Sequence, residues 1–245
     1  MSREKSGAKL GRREFLGVVG IAGAAASTPG LPSLTPAAAE TSAPETSTTP
    51  PQPAGYMFLK PQEAQFVEAV VDHMIPNDEL TGSGTEIGIA TYIDRALAGG
   101  WGKGDRLYMQ GPWGRGTPNQ GYQLPLTPAQ LYRAAIPGCN AYCRKTYGKD
   151  FEGCTAEQKE TFLKDLSGGK ITLEGGLAGR SFFALLYANV MEGMFADPIY
   201  GGNKDKVGWK MLGFPGVMAN NAENVKRYSE GQRFTAAPVS IADMS

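Results

Sequence analysis

Residues 177–195 read LAGRSFFALLYANVMEGMF, and this stretch decides the fold class. Phe182, Phe183, Leu185, Leu186, Val190, Met191 and Met194 leave it almost no polar side, which predicts a helix buried at the centre of a helical bundle. The patterns on either side are helical too. From Pro61, the residues Phe66, Val67, Val70, Val71 and Met74 recur at helix spacing. Pro61 suits the first turn, and Pro76 with Asn77 and Asp78 ends the element. A second helix near Glu86 to Leu97 turns Ile89, Tyr92, Ile93, Ala96 and Leu97 inward. Thr127-Pro128 opens a third through Leu131, Tyr132, Ala135 and Tyr142, in which Pro137 should leave a kink or a break. Thr155 and Gln158 have capping-box spacing ahead of Phe162, Leu163 and Leu166, and Ser167-Gly168-Gly169 closes that helix. No alternating strand pattern and no internal repeat stands out. The expected fold is mostly α, a single compact helical domain with long Gly/Pro-rich loops. The longest loop, residues 99–127, holds eight glycines, three prolines, Trp101 and Trp113, and loops of that length usually serve a function or an interaction.

The chain ahead of this body has a different character. Arg12-Arg13 is followed by Glu14, Phe15 and Leu16, then by the soft apolar run Gly17 to Ala26, and Ala37-Ala38-Ala39 offers a small-residue cleavage site ending at Ala39. This is the order of a twin-arginine signal peptide, which exports proteins already folded. Gly11 and Gly17 depart from the usual pattern, where Ser or Thr and Lys are common. The run Phe15 to Ala26 is 12 residues, too short for a bilayer span of about 20. Residues 40–55, ETSAPETSTTPPQPAG, lack apolar anchors and read as a disordered tether. The expected organisation is therefore a signal peptide over 1–39, a linker over 40–55, a helical domain over 56–216 and a polar tail over 217–245.

Composition narrows the partners. Residues 1–39 hold five of the 24 basic side chains and two of the 24 acidic ones, so the remaining 206 residues carry 19 against 22. A net charge of −3 points to neither nucleic acid nor an anionic membrane surface. With no second long apolar stretch, membrane association is expected only through another subunit.

The common catalytic and cofactor motifs are missing from the sequence. His73 is the one histidine, which rules out a zinc site built from several, and no Gly-x-Ser-x-Gly element presents a nucleophile to it. It reads as a helix-surface or interface residue. Gly-x-Gly-x-x-Gly, a P-loop and Cys-x-x-Cys-His are likewise absent, so no dinucleotide turn, phosphate loop or covalent haem site is expected. Asp72, Asp78, Glu86 and Asp94 fit no calcium loop and read as a solvated face with helix-end charges, with an enzyme working through carboxylates as the third alternative. No catalytic, cofactor or metal residue is assigned.

Cys139, Cys143 and Cys154 form the remaining cluster. In an exported protein, one internal bridge plus one thiol open to a partner subunit is the first reading, since an odd count leaves one unpaired. Cys139 and Cys143 share a helix face at four-residue spacing, while pairing Cys143 with Cys154 would staple the turn around Tyr147-Gly148. The alternative is an electron-transfer module with an iron–sulfur cluster on the three thiolates, although the spacing fits neither common ferredoxin pattern and a fourth ligand is lacking.

Residues 192–216, EGMFADPIYGGNKDKVGWKMLGFPG, closely resemble the hallmark block of the gluconate 2-dehydrogenase subunit 3 family. Residues 70–100, VVDHMIPNDELTGSGTEIGIATYIDRALAGG, resemble the same family's N-terminal half. The resemblance implies a non-catalytic small subunit of a membrane-associated dehydrogenase acting on sugars, polyols or sugar acids. FAD would sit in the partner large subunit and haem c in a partner cytochrome c subunit. The large subunit commonly lacks its own leader, so the implied role is to carry it through the Tat translocase on Arg12, Arg13, Phe15 and Leu16. The implied destination is the periplasm, at the inner membrane. Within the hallmark block, Tyr200, Trp209, Met211 and Phe214 are interleaved with glycines and belong to types enriched at interfaces, which makes them the expected docking residues. A tightly turned loop packing Trp209 and Phe214 into this subunit's own core is the competing reading.

Overall fold

The computed structural model describes residues 55–244 apart from 115, 118, 119 and 219, all within one compact unit. The expected leader and nearly all of the expected tether lie outside the described residues. Among the described residues eight α-helices follow one another and no strand occurs. They are α1 (Pro61–Met74), α2 (Ile89–Ala98), the single turn α3 (Gly100–Lys103), α4 (Pro128–Tyr147), α5 (Ala156–Ser167), α6 (Gly179–Phe195), α7 (Val207–Leu212) and α8 (Ala222–Ser229). The domain is mostly α, as its periodicity predicts.

Local chemistry sets the helix ends. Thr127 and Gln130 form one capping box, with the Gln130 amide donating to the Thr127 hydroxyl at 3.3 Å and Thr127 N–H to the Gln130 side chain at 2.8 Å. Thr155 and Gln158 repeat the arrangement at α5. Proline starts both α1 and α4, where its missing N–H is not needed.

The core is a relay of aromatic rings crossing the bundle. Tyr132 of α4 meets Phe182 of α6 edge-on at 5.3 Å, and Phe182 lies 6.4 Å from Phe66 of α1. Phe66 touches Phe151 at 5.1 Å, Phe151 touches Phe162 of α5 at 5.4 Å, and Phe162 meets Tyr142 at 5.7 Å. Ring pairs at such separations add to the stabilisation from burial alone, by about 0.5–1.5 kcal/mol each.

Three expectations need correction. Pro137 does not break α4, which runs unbroken over 20 residues. Pro137 lies on the exposed side, where water can reach the Arg133 carbonyl that loses its helical partner. The segment 99–127 is not loop throughout, because Gly100–Lys103 forms a helical turn. Finally, α6 is central but not sheathed. It packs on α2, α4, α5 and α7, burying Phe182, Leu186, Val190 and Met194. Its other side leaves Phe183 and Leu185 half-buried and Tyr187 exposed, with the Phe183 and Tyr187 rings stacked at 6.0 Å.

The N-terminal edge is held by a residue that pattern reading misplaces. Asp94, read as a solvated carboxylate, is 2% exposed. Its Oδ2 accepts from Met57 N–H at 2.6 Å, and its Oδ1 accepts from Phe58 and Leu59 N–H at 2.8 Å each. Arg133 adds to the hold: it donates to the Phe58 carbonyl, pairs with Glu63, and lies 3.9 Å over the Phe58 ring.

Candidate docking site

The segment after α6 is a chain of tight turns whose shape is set by polar groups and glycines rather than by helix periodicity. Asp197 starts it, with Oδ1 accepting from Ile199 N–H at 3.0 Å and Oδ2 from Ile241 N–H at 2.9 Å. This fixes the 3-10 turn Pro198–Tyr200. Gly202 then runs hard against α6, and a Cβ there would collide with the Gly193 carbonyl. Asn203 is fully buried, and its Nδ2 donates to the Ala196 carbonyl at 2.8 Å while its Oδ1 accepts from Gly208 N–H at 2.8 Å. One side chain thus ties the end of α6 to the start of α7.

Asn203, Asp205 and Lys206 have φ of +47°, +56° and +59°. For side-chain-bearing residues this left-handed conformation costs roughly 1–2 kcal/mol apiece, so surrounding contacts must hold it in place. Those contacts are present. Lys204 N–H donates to the Ile87 carbonyl at 2.9 Å, and Lys206 pairs with Asp243. The Lys206 ammonium and the Ser240 N–H hold the Asp243 carboxyl below its usual range. Val239 bonds the carbonyl of Pro215 at 3.0 Å and the N–H of Val217 at 2.8 Å, closing the far end.

Of the four expected docking residues, three face solvent. Tyr200, Met211 and Phe214 are 56%, 44% and 46% exposed, and their neighbours Ile199 and Leu212, apolar residues of the same block, are exposed as well. Trp209 is a correction at 5% exposure. Its indole N–H donates to the Phe195 carbonyl at 2.7 Å, and its ring meets Phe214 edge-on at 5.4 Å. Trp209 therefore anchors the block and supports Phe214 from beneath. The outcome divides the two readings of this segment: the indole packs inward while its neighbours point out.

Beside Tyr200 runs a groove of about 300 Å³, lined by Tyr92, Arg95, Ala96, Ile199 and Tyr200. A polar relay reaches it from the core. Tyr132 O–H donates to Asn189 Oδ1 at 2.9 Å, and Asn189 Nδ2 donates to Glu192 Oε2 at 3.0 Å. Tyr92 O–H donates to the same carboxylate at 3.3 Å. Burial, reinforced by the Glu192 charge, pushes the Tyr92 phenol up to about 12. Asn189 and Glu192 carried no sequence signal, because a buried amide inside an apolar run looks like an interruption.

The other expected site residues are placed as follows. Arg12, Arg13, Phe15, Leu16, Ala37 and Ala39 lie outside the described residues. His73 is a helix-face residue whose Nε2 sits 3.0 Å from Glu160 Oε2. Cys139, Cys143 and Cys154 are all buried free thiols, so neither the expected bridge nor a thiol open to a partner is found. Four-residue spacing does put Cys139 and Cys143 on one face of α4, but that face points into the core. Burial raises the Cys139 thiol well above its ordinary value, and burial with the neighbouring Cys154 pushes Cys143 up to about 12. Among the described residues, no group of three or more His, Cys, Asp or Glu side chains is disposed to hold a metal ion. No helix there is long and apolar enough to cross a membrane.

A profile of the gluconate 2-dehydrogenase subunit 3 family matches residues 61–216. The chain belongs to that family. Its matched segment opens on the first residue of α1 and closes on Gly216, where the block meets Val239. The gluconate 2-dehydrogenase subunit 3 domain thus takes in the whole turn-rich block, and α8 follows outside it. As the family's name states, its members are one subunit of a multisubunit dehydrogenase. Searches of curated proteins and of solved structures gave no match.

Proposed function

We propose that this chain is the non-catalytic small subunit of a periplasmic, FAD-dependent dehydrogenase of the gluconate, glucose, sorbitol or fructose type. It carries the twin-arginine signal for the complex, binds the flavoprotein subunit in the cytoplasm, escorts it through the Tat translocase and stabilises it afterwards. A cytochrome c subunit takes the electrons onward and ties the complex to the inner membrane. FAD and haem c belong to those partners.

The observation carrying this reading is the rigid block from Pro198 to Phe214. Three left-handed residues, the buried Asn203 among them, and the anchoring Trp209 fix its backbone, and it presents Ile199, Tyr200, Met211, Leu212 and Phe214 to solvent. A protein that spends backbone strain to hold aromatic and sulfur-bearing side chains outward is built for contact with another protein.

Co-expression with the flavoprotein tests the proposal, comparing the natural chain with one carrying Arg12→Lys and Arg13→Lys. The expected result is flavoprotein activity in the periplasm only with the natural chain. Equal periplasmic recovery in both cases would overturn the escort role.

A further inference from the structure

The three thiols take no part in the docking block and precede it in the chain. Cys143 is in the last two turns of α4, and Cys154 follows the 3-10 turn Phe151–Gly153 that leads into α5. Cys154 Sγ donates to the Asp150 carbonyl at 3.4 Å, and Asp150 pairs with Arg144, the residue after Cys143. The turn between them is pinned independently of any bridge. Asn140 Oδ1 accepts from Phe151 N–H at 3.1 Å, Arg144 pairs with Asp150, and Phe151 sits in the middle of the aromatic relay. Contacts outside the two cysteines therefore hold the turn that carries Cys154 against the turn of α4 that carries Cys143. Cys139, one helical turn deeper, has no such loop partner.

We infer that Cys143 and Cys154 are a modification site, a dithiol that closes to a disulfide when the folded chain enters an oxidising compartment, with Cys139 remaining a thiol. This rests on the exported location proposed above. It replaces the open sequence reading with one pairing, and it removes the partner-linked thiol. The oxidant is a disulfide, borne by an oxidising dithiol protein or a small molecule such as oxidised glutathione. Cys154 is the less buried of the pair and attacks one sulfur of the oxidant as a thiolate, releasing the other sulfur. Cys143 then gives up its proton and attacks Cys154 Sγ, which expels the second sulfur. Two thiols lose two electrons and two protons, and the oxidant's disulfide becomes two thiols. The product joins α4 covalently to the start of α5 and encloses Phe151.

The test uses the full chain purified under reducing conditions and then treated with oxidised glutathione. After denaturation and alkylation without reductant, the expected count is one modified cysteine per chain, rising to three after reduction. Peptide mapping should join residue 143 to residue 154, with no glutathione retained. The Cys139→Ser variant should behave alike, giving none and then two. The oxidised chain should melt higher by roughly 6–10 °C, the size expected when a short loop is closed in a domain of this length. Three alkylated cysteines, a bond to Cys139 or a lasting glutathione adduct would overturn the inference. The chain recovered from cells separates the two readings: three free thiols there, with a bridge formed in vitro, would sustain the site and count against export.

Discussion

Replacing Asn203 by alanine should loosen the docking block without dissolving the bundle beneath it. Two hydrogen bonds of 2.8 Å disappear, to the Ala196 carbonyl and from Gly208 N–H, at a site with no solvent exposure. Each bond is worth about 1 kcal/mol net, and each orphaned buried group adds a desolvation penalty of about 1 kcal/mol or more. Alanine must also hold φ of +47°, which asparagine tolerates better, for about 1 kcal/mol further. The sum, roughly 4–5 kcal/mol, approaches the entire stability of a small domain. Its effect should nevertheless be local, because the relay from Tyr132 to Tyr142 includes no residue of the block. Amide exchange at Gly208 and near-ultraviolet dichroism should report a freed α7 and a released Trp209, with far-ultraviolet helicity largely kept. Asn203→Gly should recover about 1 kcal/mol by relieving the backbone while losing the same bonds. If Asn203→Ala changes unfolding free energy by less than 1 kcal/mol in a urea titration and leaves Gly208 equally protected, the side chain is not what holds the block.

Three further outcomes follow from other parts of the molecule. Asp94→Ala should cost about 2–4 kcal/mol in thermal or urea unfolding, because it strands the N–H groups of Met57, Phe58 and Leu59 at once. The triple change Tyr200→Ala, Met211→Ala, Phe214→Ala should abolish co-purification of the flavoprotein while shifting the melting temperature by only a few degrees; undiminished co-purification would move the interface elsewhere. The C-terminal clasp should weaken in acid. Lys206 and Ser240 N–H lower the Asp243 carboxyl, so its contribution is present above the ordinary carboxylate range near 4 and disappears as pH falls through the lower folded value. Amide signals of Val217 and Val239 should move with that midpoint, and in Asp243→Asn they should stay at their acid positions at every pH.

Much of the bundle could be read from the chain because helices advertise themselves through local features. The apolar spacing from Phe66 to Val71 and the Thr155/Gln158 cap depend on residues within a turn or two, and both are found in place. The features that local pattern does not encode depend on contacts between distant segments. Asp94 looks like any helix carboxylate until residues 57–59 fold over it, 35 to 37 positions away. The apolar circumference of residues 177–195 says that the helix avoids water, but it cannot say whether one side is covered within this chain. The structure leaves Tyr187 exposed there. In the docking block, composition identified contact-forming residue types, while the direction of Trp209 hung on a single bond to the Phe195 carbonyl that no spacing rule encodes.

The carboxylate of Asp94 has a mechanical consequence. A pull along the segment ahead of Met57 meets three hydrogen bonds sharing one acceptor before it can peel Pro61 from the first helix. Because that acceptor sits midway along α2, the load passes sideways into α2 and its neighbour α6 instead of unzipping the bundle from its end. A pull from that end would therefore load α2 and α6 before it reaches the start of α1.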